Sequence, residues 1–215
     1  MSSVKVTVID YGVGNLLSVQ RGLEKCGSTV TISSDPKVIL NSEKVVFPGV
    51  GAFPDGMKAL KKLDLISVIQ DYVLSQKPLL AICLGMELLF DESCEFSVTA
   101  GLALIPGKII PVPSTATTGE KLKIPHIGWA ELETTSSHPN WQATILSEVK
   151  PLQSAYFVHS YMAVPKFEEN LISTVSYGGN RLAAVVQKNN LIGCQFHPEK
   201  SGEVGLRILK RFCDD

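Results

Sequence analysis

The order of short apolar runs and amphipathic segments over roughly the first ninety residues limits the folds open to this chain. The predicted strands cover residues 4–10, 29–32, 44–47 and 78–83, and the predicted helices cover residues 15–27, 55–63, 64–76 and 84–93. Such interleaving is typical of a mostly parallel sheet, because neighbouring parallel strands need long crossover connections, usually helices. We therefore predict an α/β fold with a single doubly wound, mostly parallel sheet flanked by helices.

The second half of the chain is richer in strands. Apolar runs broken by Pro and Gly lie at residues 101–113, 123–132, 154–165, 171–179 and 181–199, with a hairpin turn at Lys188–Asn190. An amphipathic segment at 201–213 predicts a closing helix, and the linker-like stretch 113–121 has the composition of an exposed loop. A chain of 215 residues can bury one core, so we predict one domain over residues 1–215.

Composition argues against several classes of protein. The formal net charge is −1 and no basic stretch is interleaved with aromatic residues, so we expect neither a nucleic-acid nor a membrane partner. The N-terminus has no signal-peptide pattern, and the longest uncharged apolar stretch, residues 78–86, is far shorter than the roughly 20 residues of a membrane helix. These features predict a soluble protein of the cytoplasm.

The cysteines and histidines do not form a recognisable metal or disulfide pattern. The 5 cysteines are irregularly spaced without a CxxC pair, and the 4 histidines include no HxxxH pair. We therefore predict no metal site and no cofactor. Cys94, Cys194 and Cys213 are predicted to pack as small hydrophobic residues.

Cys83 differs from the other cysteines by its position in "AICLG" (81–85), where an apolar strand meets a helix. A residue at such a corner occupies a tight turn, and the small residues Ala81 and Gly85 let the backbone cross closely. The start of the helix favours a thiolate, and the N–H of Leu84 could face an oxyanion. The alternative is a buried core cysteine, and this motif alone does not separate the two.

A partner for such a nucleophile lies in "GCQFHPE" (193–199). An apolar strand runs to His197, and Glu199 would lie on the same side of an extended backbone, where it could accept a hydrogen bond from the imidazole. Alone, "HPE" favours a surface charge pair. Together with Cys83 it indicates a Cys–His–Glu triad.

A third motif, "FPGVGAF" (47–53), places two glycines in a strand-to-helix turn. Such a turn can present bare N–H groups as an oxyanion hole or anion nest. For this motif alone an ordinary tight turn is the favoured interpretation.

Seven stretches carry a resemblance that runs in order along the whole chain. They are "IDYGVGNLLSV" (9–19), "FPGVGAFPDGM" (47–57), "AICLGMELLF" (81–90), "GLALIPGKI" (101–109), "IPHIGWAEL" (124–132), "YFVHSY" (156–161) and "GCQFHPEKSGEVGLRIL" (193–209). In them the chain resembles the class I glutamine amidotransferases, most closely the glutaminase subunits of imidazole glycerol phosphate synthase in histidine biosynthesis. The "YGxGN" and "PHxGW" patterns are more specific than the triad, which all class I amidotransferases share.

The resemblance implies hydrolysis of glutamine to glutamate and ammonia. Cys83 would attack the amide carbonyl, His197 would move the proton, and Glu199 would hold His197. The implied oxyanion hole consists of Gly49, Val50 and Leu84, and the implied substrate-binding residues are Gly51, Glu87, His159, Ser160 and Tyr161. On this interpretation His126 is structural, and His159 is a wall of the pocket, not a second base.

The resemblance also implies a partner. The ammonia would pass to a (β/α)₈-barrel cyclase subunit, in a heterodimer that makes imidazole glycerol phosphate and an aminoimidazole carboxamide ribonucleotide. Asn15 and Trp129 would lie at or near that interface. The alternative for Asn15 is a role as a helix N-cap, and the same residue could both cap the helix and contact the partner. The alternative for Trp129 is an aromatic residue of the core.

Two residues depart from the family pattern: Glu87 stands where Gln is usual, and Ala130 where Asn is usual. A carboxylate cannot donate the amide hydrogen bond, and if ionised it would repel the substrate carboxylate and raise the pKa of the thiol. These departures leave two alternatives open. One is a paralogue that supplies ammonia for amidination of surface sugars, and the other is a catalytically silent scaffold, against which the intact triad argues.

Overall fold

The computed structural model describes residues 3–214, in which helices and strands alternate along the first half of the chain. The strands are β1 (Lys5–Ile9), β2 (Thr29–Ser33), β3 (Lys44–Gly49), β4 (Leu79–Cys83), β5 (Phe90–Ser93), β6 (Thr99–Ala100), β7 (Ile105–Pro111), β8 (His126–Glu131), β9 (Glu133–Thr134), β10 (Ser154–His159), β11 (Tyr161–Pro165), β12 (Leu171–Tyr177), β13 (Asn180–Lys188) and β14 (Leu191–Cys194). The helices are α1 (Leu16–Lys25), α2 (Pro36–Asn41), α3 (Phe53–Lys62), α4 (Leu65–Leu74), α5 (Leu84–Glu87) and α6 (Gly202–Asp214), with 3₁₀ turns at Glu168–Asn170 and Pro198–Lys200. None of the helices within these residues is long and apolar enough to cross a membrane.

A large central sheet has the strand order β2-β1-β3-β4-β14-β13-β12-β9. The strands from β2 to β14 are parallel to one another, whereas β13, β12 and β9 continue the sheet in antiparallel fashion. The predicted α/β fold with a mostly parallel sheet is therefore confirmed. The strand-rich second half supplies the antiparallel part of this sheet, and the hairpin predicted at Lys188–Asn190 joins β13 to β14.

Side chains of β4 show why helices cover both faces of the sheet. Leu80 and Ile82 belong to one buried cluster, together with residues of α1 and α6. Leu79 and Ala81 point the opposite way, into a second buried cluster with residues of α3 and α4. Because successive side chains of a strand face opposite sides, a continuous apolar run requires cover on both.

Two smaller sheets lie beside the central one. The first pairs β10 with β8 in antiparallel fashion, and the second has the order β11-β7-β5-β6. The single predicted strand at 154–165 is divided between them, because its first half pairs with β8 and its second half with β7. Ser160, between β10 and β11, lines the same cavity as Cys83 at the end of β4.

Two local predictions were wrong. Residues between β2 and β3 were not predicted as a helix, yet α2 lies there, capped by the Asp35 side chain and begun by Pro36. The helix predicted over 84–93 ends at Glu87, and β5 begins at Phe90. Residues 84–90 are all buried, so they show no amphipathic period by which helix and strand could be distinguished.

Candidate active site

The chain turns sharply at Cys83, between β4 and α5. Its φ is 54° and its ψ is −115°, a backbone conformation that residues other than glycine rarely adopt. The close crossing predicted for Gly85 is also present, because a Cβ at this position would collide with the carbonyl oxygen of Phe47 in β3. The corner therefore has the strained geometry expected of a nucleophile between a strand and a helix.

The Cys83 thiol is not held as a thiolate in the free chain. Burial raises its pKa well above the usual range, and the nearby carboxyl of Glu87 raises it further at a pH where Glu87 is ionised. A hydrogen bond from the Leu84 N–H opposes this effect but does not overcome it. The effect predicted for the start of the helix is therefore present but smaller than the effect of burial, because α5 has only 4 residues and little dipole.

His197 and Glu199 form a buried pair. Nδ1 of His197 lies 2.8 Å from Oε1 of Glu199, and both side chains are almost fully shielded from solvent. A carboxylate can only accept, so neutral His197 carries its proton on Nδ1 and leaves Nε2 as an acceptor. That Nε2 atom is buried and has no hydrogen-bond partner among residues 3–214. It is therefore free to receive a proton.

The route by which Glu199 reaches the imidazole differs from the prediction. The backbone after His197 is not extended but forms the 3₁₀ turn Pro198–Lys200. Pro198 begins this turn because its fixed φ suits the first helical position. The hydrogen bond predicted between the two side chains is nevertheless present.

One cavity of about 330 Å³ brings most of the predicted site residues together. Those lining it are Val50, Gly51, Cys83, Leu84, Glu87, His159, Ser160, Tyr161 and His197. Gly49 does not line the cavity but is the register partner of Cys83 in the β3–β4 ladder. Glu199 also lies outside the lining and contacts His197. Segments separated by more than a hundred residues thus converge at the carboxyl ends of β3, β4 and β14.

Glu87 lies in this cavity as a buried acid, with 6% of its surface exposed. Nε2 of Gln195 donates a hydrogen bond of 2.9 Å to its Oε1 atom. Burial raises the pKa of Glu87 to about 8 despite this bond, so the neutral form predominates at pH 7. The repulsion expected from an ionised Glu87 therefore does not apply at neutral pH.

His159 and His126 form a hydrogen-bonded pair across the β8–β10 ladder. Nδ1 of His159 is 2.7 Å from the carbonyl oxygen of Tyr161 and must donate, so its Nε2 accepts from Nδ1 of His126 at 3.1 Å. Burial lowers the pKa of His159 to about 4. Both nitrogens of His159 are occupied in this way, which fits a wall of the cavity and not a base.

Glu95 is a cavity residue that the sequence analysis missed. It lines the cavity, and its Oε2 accepts a hydrogen bond of 2.7 Å from the N–H of Phe53 at the start of α3. Lys200, directly after the "HPE" motif, also lines the cavity. The sequence offers no clear signal for Glu95, because the turn after β5 fixes its direction. Within residues 3–214 no cluster of side chains has the composition of a metal site.

The two candidate interface residues lie at the surface. The Asn15 side chain accepts a hydrogen bond of 3.4 Å from Ser18 N, so its predicted capping role is confirmed. Trp129 is 58% exposed, and the alternative of a core aromatic is wrong. Its ring packs edge-on against Tyr156 of β10, with centroids 5.9 Å apart.

The other cysteines follow the predictions in part. Cys194 and Cys213 are buried, as expected for small hydrophobic residues. Cys94 is exposed, so the packing role predicted for it was wrong. It lies directly after the end of β5, and its Sγ donates to the carbonyl oxygen of Ile109 at 3.5 Å.

Comparison with known proteins identifies the family. Residues 7–215 match the family described as "Glutamine amidotransferase class-I". The chain belongs to the class I glutamine amidotransferases. Solved structures resemble this amidotransferase at low identity: a structure titled "Crystal structure of glutamine amidotransferase" has a TM-score of 0.71 at 14% identity, covering 98% of this chain and 99% of that one. PurLQS from Thermotoga maritima has a TM-score of 0.69 at 15% identity, with 99% of each chain covered, and both likenesses concern the fold.

Curated relatives of this amidotransferase are much more similar in sequence. "Imidazole glycerol phosphate synthase subunit HisH 1" of Legionella pneumophila (strain Lens) is 47% identical over 212 residues, which cover 99% of both chains. "Imidazole glycerol phosphate synthase subunit HisH" of Geobacter sulfurreducens is 44% identical over 209 residues, 97% of both chains. The protein of the same name from Lactococcus lactis is 42% identical over 211 residues, 98% of both.

Proposed function

We propose that this amidotransferase is the glutaminase subunit of imidazole glycerol phosphate synthase and hydrolyses glutamine through Cys83, His197 and Glu199. The observation that carries the proposal is the cavity lined by both Cys83 and His197, with Glu199 held behind the imidazole. Relatives 42–47% identical over nearly the whole chain bear the name of that subunit. Histidine biosynthesis is the pathway to which this enzyme belongs.

The first half of the reaction releases ammonia. Sγ of Cys83 attacks the side-chain carbonyl carbon of glutamine while Nε2 of His197 takes the thiol proton. His197 then gives this proton to the leaving nitrogen, the carbon–nitrogen bond breaks, and a thioester and ammonia remain. Because burial disfavours a free thiolate, proton transfer must accompany the attack.

The second half restores the enzyme. His197 takes a proton from water, the resulting hydroxide adds to the thioester, and the carbon–sulfur bond breaks. The proton returns to Cys83, so that glutamine and water give glutamate and ammonia. Glu199 accepts the Nδ1 hydrogen bond throughout and stabilises the imidazolium in both halves.

The oxyanion that forms in each half needs N–H donors. We assign this role to the N–H of Leu84, the residue directly after Cys83 at the start of α5, and to the Gly49–Val50 peptide. Val50 lines the cavity beside Leu84, which supports the assignment. A partner that reorients this peptide would switch the hydrolysis on.

Glutamine would lie among Gly51, Glu87 and the His159–Tyr161 segment. Its α-ammonium group is cationic, and the carboxyl group of Glu95 in the same cavity is the natural counter-charge. These contacts would place the side-chain amide next to Cys83.

A cyclase subunit would receive the ammonia. The curated relatives of this chain are named as subunits of a synthase, which supports a complex. We propose a heterodimer with a (β/α)₈-barrel cyclase in the cytoplasm, using the surface around Asn15 and Trp129. Exposed apolar side chains at Leu17 and Ile127 are available for the same contact.

Glutamate release from glutamine by the purified chain tests the proposal. The assay is run on the chain alone, with the cyclase subunit carrying its nucleotide ligand, and with a sugar-amidinating synthase, with Cys83→Ala as the control. Strong stimulation by the liganded cyclase, lost in Cys83→Ala, is the expected result. Absence of turnover in both conditions would contradict it and favour the silent scaffold, and stimulation only by a sugar-amidinating synthase would favour the paralogue.

A further inference from the structure

We propose that Glu87 is a specificity residue which binds glutamine as a neutral carboxylic acid, with Gln195 holding one oxygen while the other presents an O–H donor to the substrate. The inference rests on the proposed glutaminase function and concerns the protonation state of Glu87 in which the pocket binds glutamine. It also accounts for a glutamate at a position where the resemblance described above implies a donor amide.

The geometry around Glu87 leaves one oxygen for a ligand. Its Oε1 accepts from Nε2 of Gln195 at 2.9 Å, and Gln195 is fully buried. The carboxyl group takes part in no ion pair among residues 3–214, and the residue lines the same cavity as Cys83 and His197. The Oε2 atom is therefore the one that a substrate can meet.

The charges near Glu87 favour the proton. Burial is the largest effect and raises the pKa of Glu87 to about 8; the Gln195 amide lowers it, and the Glu95 charge raises it. Tyr11, Cys83 and Tyr161 each feel the Glu87 charge, and none of them is a cation that could hold it ionised. The remaining titratable groups of the cavity are His159, His197 and, at an exposed position, Lys200.

A neutral acid can do what an ionised one cannot. Its O–H can donate to a carbonyl or carboxylate oxygen of glutamine, as an amide N–H could. Ionisation removes the donor and places a negative charge beside the substrate carboxylate. Only the protonated form should therefore bind tightly, and the apparent affinity should fall with the fraction protonated as the pH rises through 8.

Calorimetric titration with L-glutamine tests this inference without relying on turnover. The complex with the cyclase carries Cys83→Ala to prevent hydrolysis, and Kd is measured from pH 6.5 to 9.5, with and without Glu87→Gln. The α-amino group of free glutamine titrates in the same range, and the Glu87→Gln series measures that contribution. We expect Kd of the protein that retains Glu87, divided by Kd of the Glu87→Gln variant, to rise about tenfold between pH 7 and 9.

Proton linkage gives a second readout. Near pH 9, binding to the protein that retains Glu87 should take up close to one more proton than binding to the Glu87→Gln variant, as measured in two buffers of different ionisation enthalpy.

The Gln195→Met variant tests Gln195 as the residue that positions the Glu87 carboxyl group. Loss of its N–H removes the bond that favours the carboxylate, so the midpoint of the Kd profile should move to higher pH. Glu92→Gln, a change at an exposed carboxyl on β5, should leave the parent profile unchanged.

The titrations distinguish a failure of this inference from a failure of the proposed function. Parallel pH profiles with and without Glu87→Gln, with equal proton uptake, would overturn the inference and leave the glutaminase intact. A uniform loss of affinity in Gln195→Met, with an unchanged midpoint, would mean that Gln195 serves only packing. Absence of glutamine binding in both proteins at every pH would reject the proposed function itself.

Discussion

The backbone of Cys83 is held at a positive φ, which costs on the order of 1–3 kcal/mol for a residue with a Cβ. The surrounding packing tolerates this strain, since β4 is buried along its length and α5 lies against β3. The strained turn directs the thiol away from the strand and into the cavity that His197 also lines. The strain at this residue is best understood as part of the site.

Glu199→Gln isolates the contribution of the orienting carboxylate. The amide can donate to Nδ1, favouring the wrong tautomer, and it no longer stabilises the imidazolium. We expect kcat for glutamate release to fall roughly 10²- to 10⁴-fold with a small change in KM. The matched control is Glu203→Gln, a change at an exposed carboxyl on α6, and equal kcat in the two variants would contradict a role for Glu199.

Glu87→Gln should change the pH dependence of stability. The folded-state pKa of Glu87 is raised from 4.5 to about 8, so its contribution to stability is full below pH 4.5 and is lost as the pH rises through 8. Relative to Glu87→Gln, the parent protein should lose about 2–3 kcal/mol of unfolding free energy between pH 6 and 9. Urea unfolding at the two pH values measures this difference, and a pH-independent difference would show that Glu87 is not buried as an acid.

At the scale of elements, the contact between β3 and α5 sets the shape of the corner. Gly85 is needed there because the Phe47 carbonyl occupies the space of a side chain. The sequence pattern does not distinguish the short α5 from the strand that follows it. Residues 84–90 are all buried, so apolar and polar positions do not alternate with a helix or strand period. By contrast, α1 and α6 were predicted well because each has one apolar face and one polar face.

Gly85→Ala tests the close approach. The added methyl group would push α5 away from β3, and we expect a loss of about 3 kcal/mol or more in unfolding free energy. Gly27→Ala is the control: its φ of +89° is strained for alanine, but the space around it is open. It should cost only about 1 kcal/mol. Equal losses in the two variants would mean that α5 and β3 accommodate the added methyl group and that the close approach does not require glycine at position 85.

At the scale of the whole molecule, the cavity opens among segments that also present exposed apolar side chains. Val50 is both a cavity residue and a surface residue, and Trp129 lies on β8, which pairs with the strand that ends at His159. A partner bound on this surface would therefore contact elements that form the pocket. This continuity is consistent with a glutaminase whose activity depends on its cyclase.

Trp129→Ala tests that surface. Because the ring is exposed, its removal should leave unfolding free energy nearly unchanged but weaken the complex with the cyclase by about 1–3 kcal/mol, or roughly 5- to 150-fold in Kd. Binding is measured by calorimetry or surface plasmon resonance. Phe167→Ala, a change at an exposed aromatic outside the proposed interface, is the control, and an equal effect of both changes would place the interface elsewhere.

The sequence by itself determined the class of fold and the residues of the candidate triad. Apolar runs short enough for strands, separated by amphipathic segments, require a covered sheet. Cys83 and His197 stand out by residue type at or just after predicted strands, and Glu199 follows in the "HPE" motif. Only the tertiary structure decided the protonation of Glu87, the place of Glu95 in the cavity and the exposure of Trp129. These properties depend on contacts and burial between segments that are far apart in the sequence. Gln195, for example, bonds Glu87 across 108 residues, and no local sequence pattern predicts that contact.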